Sequence, residues 1–593
     1  MPDGVKLKAW GRDFDSAALA ARMETDMHSP ENRTLRAQTI QPVRCGQDKR
    51  AKIQKVFRTV LLGSALAIMP LTAPNAFALD AMGFFKGLQA EAEKDGNTLT
   101  FGLLESMGDD GARARDIKLV DGKTGDELTI ADLELSGTSQ VGADGFSFDL
   151  MQASDLQLTT DRDPGSSGTI SIGKINATGF HLPSSDLRVK EFWPINMETG
   201  RLETIRVVSS GAQNVSLNIP SIEISGLVGE TEYRMDLGSF LSAPATGSFA
   251  TENGANGTFS LGAISLGDLK RLGQSGFVLG TLDFGAFNLS GSDEKGRAVS
   301  LDFAGANGSN LYAPDFSGEK ALFPDGKMDM AIKGASFSLD GTELFRLDGS
   351  VSSAEYNQES SDYSANVGID GLFLNIKEMP AEPGTESGRQ QFAALGYDSL
   401  SLDLDIAMDW NVASGLLDIS KYRFAAKDMA ALDLTFIING YDQSFAKTMQ
   451  SVSQKMGETS DPEMQQALGF QLLGMMSSLN VVEIALSFDD DSLTNRLLDF
   501  QAKQSGQTAE DMAAALPFMA GAMLSQFEIP EFAASVASAL TSFLKTSGSI
   551  TLSAKPERPI SVAELMGISA GLNAGTVKPA ELIEQFNITV TGK

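Results

Sequence analysis

The chain has 593 residues with 47 basic and 77 acidic side chains, 42% of its residues hydrophobic and 21% charged, a balance of globular proteins rather than disordered ones. Up to Ala78 there are 12 basic and 7 acidic residues, so the remainder carries 35 against 70, a net of −35 that repels nucleic acid and anionic headgroups and excludes nucleic-acid binding. Cys45 is the only cysteine and His28 and His181 the only histidines, which removes thiol catalysis, disulfides, zinc ribbons and His-rich metal sites, so no metal or cofactor is expected.

Residues 1–48 are polar, mixed in charge and without apolar periodicity, and are read as a non-native extension upstream of the true start, for which Val43 is one candidate. Residues 49–78 have the composition of an export signal. A basic segment (Lys49, Arg50, Lys52, Lys55, Arg58) precedes an apolar run from Val60 to Met69, and Ala76-Phe77-Ala78 gives the small-x-small pattern of a cleavage site. The run is short for a membrane span, which takes about 20 residues. Cleavage after Ala78 is therefore expected over retention as an anchor, which places the mature chain in a bacterial periplasm.

Residues 79–97 predict one short amphipathic helix. From Thr98 to Tyr441 the pattern is that of strands, and one signature recurs: apolar-x-apolar-x-x-apolar-x-apolar. It appears as LTIADLEL (Leu128–Leu135, with Ile130 and Leu133), ISIGKINA (Ile170–Ala177, with Ile172 and Ile175) and LNIPSIEI (Leu217–Ile224, with Ile222). It returns as FSLGAISL (Phe259–Leu266), LDFGAFNL (Leu282–Leu289, with Phe284 and Phe287), MAIKGASF (Met330–Phe337) and VGIDGLFL (Val367–Leu374, with Ile369 and Leu372). Most copies start about 40 residues apart, a degenerate repeat.

The two-residue gap has two readings. A β-bulge absorbs the extra residue and restores the face. A two-residue hairpin folds the motif back on itself, and Asp370-Gly371 suits one best. Bulges are preferred because several motifs run on past their eight residues. In Ser399–Trp410, by contrast, Leu400, Leu402, Leu404, Ile406, Met408 and Trp410 alternate with Ser, Asp and Ala without a slip, which predicts one long strand. The fold class expected is mainly β: a long twisted antiparallel repetitive sheet, an open groove or a flattened β-body, with a helical and mixed C-terminal third over residues 442–593.

In that third, helices are expected at Gln443–Gly457, Pro462–Leu479, Ser492–Ser505, Thr508–Phe527 and Glu531–Leu544, with strands at Val481–Phe488, Ser549–Ala554 and Phe586–Thr591. Methionine is concentrated there, and Met512–Phe527 is uncharged but broken by Pro517 and Gly521, too short to span a bilayer. These helices either pack over the end of the sheet or form an adaptable Met-rich lid on an apolar groove.

Catalytic motifs fail on context. Gly567-Ile-Ser-Ala-Gly571 matches a nucleophile elbow, but no histidine follows and the segment reads as helix. Asp121-Gly-Lys-Thr124 resembles the end of a phosphate loop but lies between strands with no helix after it, and reads as a hairpin turn. Asp489-Asp-Asp491 lacks the spacing of a calcium loop. The chain is expected not to be an enzyme.

Segments such as Ile170–Leu182 (ISIGKINATGFHL) and Ser221–Leu227 (SIEISGL) resemble AsmA-like periplasmic proteins over Thr98–Tyr441. That resemblance implies a groove-forming sheet that carries phospholipid tails across the envelope. On this reading the sixteen residues Ile130, Leu133, Ile172, Ile175, Ile222, Ile224, Phe284, Phe287, Ile369, Leu372, Leu400, Leu402, Leu404, Ile406, Met408 and Trp410 line the groove, with lipid and envelope proteins as partners and membrane contact without spanning. The rival reading is a non-enzymatic structural or interaction protein of the envelope with a closed β core.

Overall fold

The computed structural model describes residues 81–593, with breaks at 95, 142–144, 164–165, 183–195, 212, 232–233, 273–275, 314–322, 380–385, 460, 547 and 574–575. The upstream extension, the export signal, Cys45 and His28 lie outside the described residues.

Among the described residues, helix α1 (Ala81–Lys94) is followed by 29 strands that join one antiparallel sheet, with further helices between the later strands. These are α2 (Glu386–Ala394), α3 (Gln443–Glu458), α4 (Pro462–Met476), α5 (Leu493–Ser505), α6 (Ala509–Ser525), α7 (Pro530–Thr546), α8 (Val562–Asn573) and α9 (Pro579–Gln585). The C-terminal helices form where the sequence places them, and the starts of α3 and α6 are capped: Asp442 accepts from the Phe445 N–H and Thr508 from the Asp511 N–H. Helix α2 was not legible in the sequence. It is a short polar segment, held from outside by Arg496, which donates to the Leu395 and Gly396 carbonyls just beyond it.

Two expectations about the sheet are corrected. The sheet does not stop near Tyr441. Strand Asn480–Asp490 pairs with Ala430–Asn439, and Ser549–Ala554 and Ile588–Gly592 follow, so the C-terminal region extends the same sheet. The two-residue gap, moreover, is neither a hairpin nor, in most copies, a bulge. In LTIADLEL the pairs Ile117↔Ile130 and Arg115↔Asp132 enclose Asp116 opposite Ala131, one extra residue against one. The next strands continue the line: Asp155 opposite Gly173, and Thr204 opposite Pro220.

Every strand in turn inserts a residue at the same level, so register is preserved while all side chains change phase together. Further along, each long strand breaks in two at this level: Ala243-Pro244, Gly262-Ala263, Gly285-Ala286, Ala304-Gly305 and Lys333-Gly334. The result is a crease across the sheet. Because the motif reads the same in both directions, upward and downward strands meet the crease identically.

The crease ends at the strand that has no gap. Between Ile369↔Leu404 and Leu372↔Leu402, two residues, Asp370 and Gly371, face Asp403 alone, and the Gly371 N–H donates to the Asp403 carboxylate at 2.8 Å. This is a true two-against-one bulge. It lets Leu400–Asn411 run without a slip, which is the reason its alternation is unbroken.

The crease requires small residues. Asp116, Asp155 and Thr204 hold φ of 51°, 52° and 59°, the left-handed region. Where the backbones meet, a Cβ on Gly262 would lie 2.8 Å from the Ala286 nitrogen. Gly262→Ala is expected to destabilise by about 1–3 kcal/mol, because backbone rather than a flexible side chain must move. Gly87→Ala, in the middle of α1 with nothing within 4 Å, is expected to stabilise by about 0.5–1 kcal/mol. Thermal unfolding of the two variants checks the contrast.

Candidate functional site

Directly opposed residues of antiparallel strands share a face, so the register traces which side chains line up across the sheet. On one side of the crease a row runs Ala112–Leu135–Met151–Ala177–Gly200–Ile224–Phe240–Leu266–Leu282. It continues Gly308–Met330–Ser352–Val367–Ile406–Tyr422–Leu434–Leu486–Leu552–Val590. Nineteen strands at about 4.8 Å spacing make this row roughly 85 Å long. A second row beside it contains Leu133, Ile175, Ile222, Phe284, Ile369 and Leu404.

Across the crease a third row contains Ile130, Ile172, Phe287, Leu372 and Leu402, and a fourth runs from Leu119 through Phe259, Leu289 and Leu374 to Leu400. A ring contact confirms that both sides of the crease belong to one face: Phe284 of the second row and Phe303, opposite Phe287 in the third, lie 5.7 Å apart. None of the side chains named in these rows is charged.

Burial divides this face into zones. At the N-terminal end it is closed. Ile130, Leu133, Ile172 and Ile175 are 3%, 3%, 1% and 4% exposed, so they form a core rather than a lining. Helix α1 packs there, with Phe84 edge-on to Phe148 at 5.6 Å and Phe148 stacked on Phe180 at 5.3 Å. Ile224, 5% exposed, is the last large side chain of this closed zone on its row.

From there the rows stand half-buried: Ile222, Phe284, Phe287, Ile369, Leu372, Leu400, Leu402, Leu404, Ile406 and Met408. Side chains on the other face of the same strands, such as Thr281, Asp283, Asn288 and Ser290, are exposed. Near the C-terminal end the apolar rows are barest, at Phe424, Leu432, Leu486 and Leu552. The strands themselves were expected at Val481–Phe488 and Ser549–Ala554, but their side chains were not counted with the lining because they lack the gapped motif; their plain alternation was the available signal.

Trp410 does not line this face. It is 7% exposed in a cluster with Tyr356, Val412 and Ala446, against which Phe323, Tyr363, Leu417 and Tyr441 pack, and its indole N–H donates to the Tyr441 carbonyl at 2.6 Å. Helix α3 supplies Ala446, so the cluster closes one margin of the face. Burial pushes the Tyr363 and Tyr441 hydroxyls above the ordinary tyrosine range.

The opposite face is polar. Ser225 and Ser239 hydroxyls lie 2.6 Å apart across neighbouring strands, as do Thr178 and Thr199. A shallow depression of about 660 Å³ lies on this side, lined by Ser216, Asn218, Thr258, Ser260, Asn288 and Asp302 among others. Arg113 forks onto Asp132 with Nε 2.7 Å from Oδ1, and that hydrogen bond holds the Asp132 carboxyl below its ordinary range. The folded state therefore gains from this group above the unfolded value of about 3.9 and loses the gain as pH falls through the lowered folded value. The stability difference between the native chain and Asp132→Asn is expected to be constant at neutral pH and to vanish on acidification, read from denaturation midpoints at a series of pH values.

Asp121 makes the expected turn, its carboxylate accepting from the Lys123 and Thr124 N–H groups, and Ser569 sits inside helix α8. Among the described residues no group of three or more His, Cys, Asp or Glu could hold a metal ion, and no helix is long and apolar enough to cross a membrane. A family model described only as an uncharacterized protein matches residues 423–593, beginning inside strand Leu416–Ala426. No curated protein matches the chain.

Proposed function

We propose that the chain is an exported envelope protein that holds lipid acyl chains along its uncharged face, without a chemical step. The observation that carries this reading is the run of largely half-buried apolar rows from Ile222 to Leu552, whose third row ends at Asp490, a buried carboxylate turned to the Thr494 N–H. Monomeric proteins seldom leave so large an apolar surface without a ligand or partner. Hydrocarbon is the matching ligand, since a lattice of Leu, Ile, Phe and Met offers dispersion contacts and no hydrogen bond. A 16-carbon chain gains about 12 kcal/mol on leaving water, at about 0.8 kcal/mol per methylene. A bilayer returns nearly the same, so exchange between bilayer and protein is close to neutral and suits carriage.

The acidic exterior keeps the body away from anionic surfaces while the apolar face does the binding. The resemblance to AsmA-like proteins and the export-signal composition of residues 49–78 support a periplasmic setting. The rival, a closed β core, describes the N-terminal end, where Ile130 and Ile172 are buried, but beyond Ile224 the rows stand half-buried. Lipid extraction and mass spectrometry of the protein purified without detergent test the proposal. Co-purifying diacyl lipid is the expected result. A lipid-free chain that also takes up no fluorescent fatty acid overturns it.

A further inference from the structure

The C-terminal helices leave bare apolar surface that the sheet does not use. On α6 and the turn after it, Leu516, Met519, Met523 and Phe527 recur at i, i+3, i+7 and i+11, one stripe of the helix, while Phe518 projects about 100° round from Met519, outside that stripe. They are 39%, 54%, 63% and 55% exposed, and Phe518 is 79% exposed. The back of the helix is anchored instead: a Cβ on Gly521 would lie 3.5 Å from the Ala537 Cβ of α7. Helix α7 in turn packs on strands Ser549–Ala554 and Ile588–Gly592, where the apolar rows end. The stripe is thus carried at the end of the sheet where the uncharged face is barest.

We propose that this stripe of α6 inserts into the interfacial region of a zwitterionic bilayer and docks that end of the apolar face on the membrane. Its purpose rests on the lipid-carrying reading; its physics does not. Charge selects the surface. From Met512 to Phe527 there is no charged side chain, and the flanking Glu510, Asp511 and Glu528 are all acidic. Anionic headgroups would be repelled, and headgroups of zero net charge would not. A second copy is the poorer occupant. The stripe's four side chains, exposing on the order of 100 Å² each, fall short of the roughly 800 Å² per partner of a stable interface, and both copies carry the same large negative charge.

Flotation of the full chain with phosphatidylcholine vesicles tests this, beside the double variant Met519→Ser/Met523→Ser. The native chain is expected to float and the variant's partition coefficient to fall by about tenfold or more. Replacing a third of the lipid with phosphatidylglycerol is expected to weaken the native chain's binding. The single variant Phe527→Trp is expected to blue-shift its emission on vesicle addition. Fatty-acid uptake without vesicles is expected to be unchanged in the double variant, which separates the two proposals. If uptake is absent from both chains while flotation still depends on α6, membrane docking stands and lipid carriage falls. Failure of the native chain to float overturns the inference. So does undiminished flotation of the variant, or a change in oligomeric state with flotation intact.

Discussion

A carboxylate placed in the middle of the uncharged face is expected to empty it of lipid. Phe284→Asp puts a charge on the second row, between Ile264 and Ala306, with Phe287 just across the crease on the same face. Hydrocarbon cannot solvate that charge, so keeping an acyl chain against it costs several kcal/mol unless the group is protonated. Bound lipid measured by mass spectrometry should fall to background at neutral pH. Because Phe284 is only half-buried, water reaches the new carboxylate in the empty protein and the fold should survive. Thr281→Asp is the control. Its side chain is exposed on the polar face of the same strand, and it should leave lipid content unchanged. Equal lipid loss in both variants would mean that the apolar rows are not where lipid sits.

Trp410→Ala is expected to be the most destabilising single truncation near the C-terminal end, by about 3–5 kcal/mol. The indole is packed edge-on against Phe323, Tyr363 and Tyr441, with ring centroids 6.1, 6.2 and 5.4 Å away. Its removal also leaves the Tyr441 carbonyl without the indole donor. Trp410→Phe keeps much of the packing and loses the hydrogen bond, and should cost less, by the order of 1 kcal/mol for the missing bond plus a small void. Denaturant titration of the two variants separates packing from hydrogen bonding. Lipid content should follow neither, since Trp410 belongs to a closed margin.

Much of the sheet was legible because side-chain alternation is a local property of a strand. Period-two stretches placed Leu400–Asn411, and the eight-residue motif placed the inward side chains of Ile172, Phe284 and Phe287 correctly on one face. The C-terminal helices formed where the sequence reading expected them, and in the structure Asp442 and Thr508 cap two of them. Helix α2 was missed because its stability comes from Arg496, about a hundred residues away, and no local signal records that.

What the sequence by itself determined is which side chains share a flank and that the flank is uncharged, because both depend only on neighbours along the chain. The tertiary structure alone decided what the gap between motif halves is. A single chain cannot reveal whether an extra residue is opposed by none, one or two residues of the next strand. Register made it a crease that ends in a bulge at Asp370-Gly371. It also decided exposure: Ile172 and Phe287 lie in the same row, yet the first is buried at the end helix α1 covers and the second stands half-bare. Burial depends on what lies across space, and alternation along a strand carries no information about that.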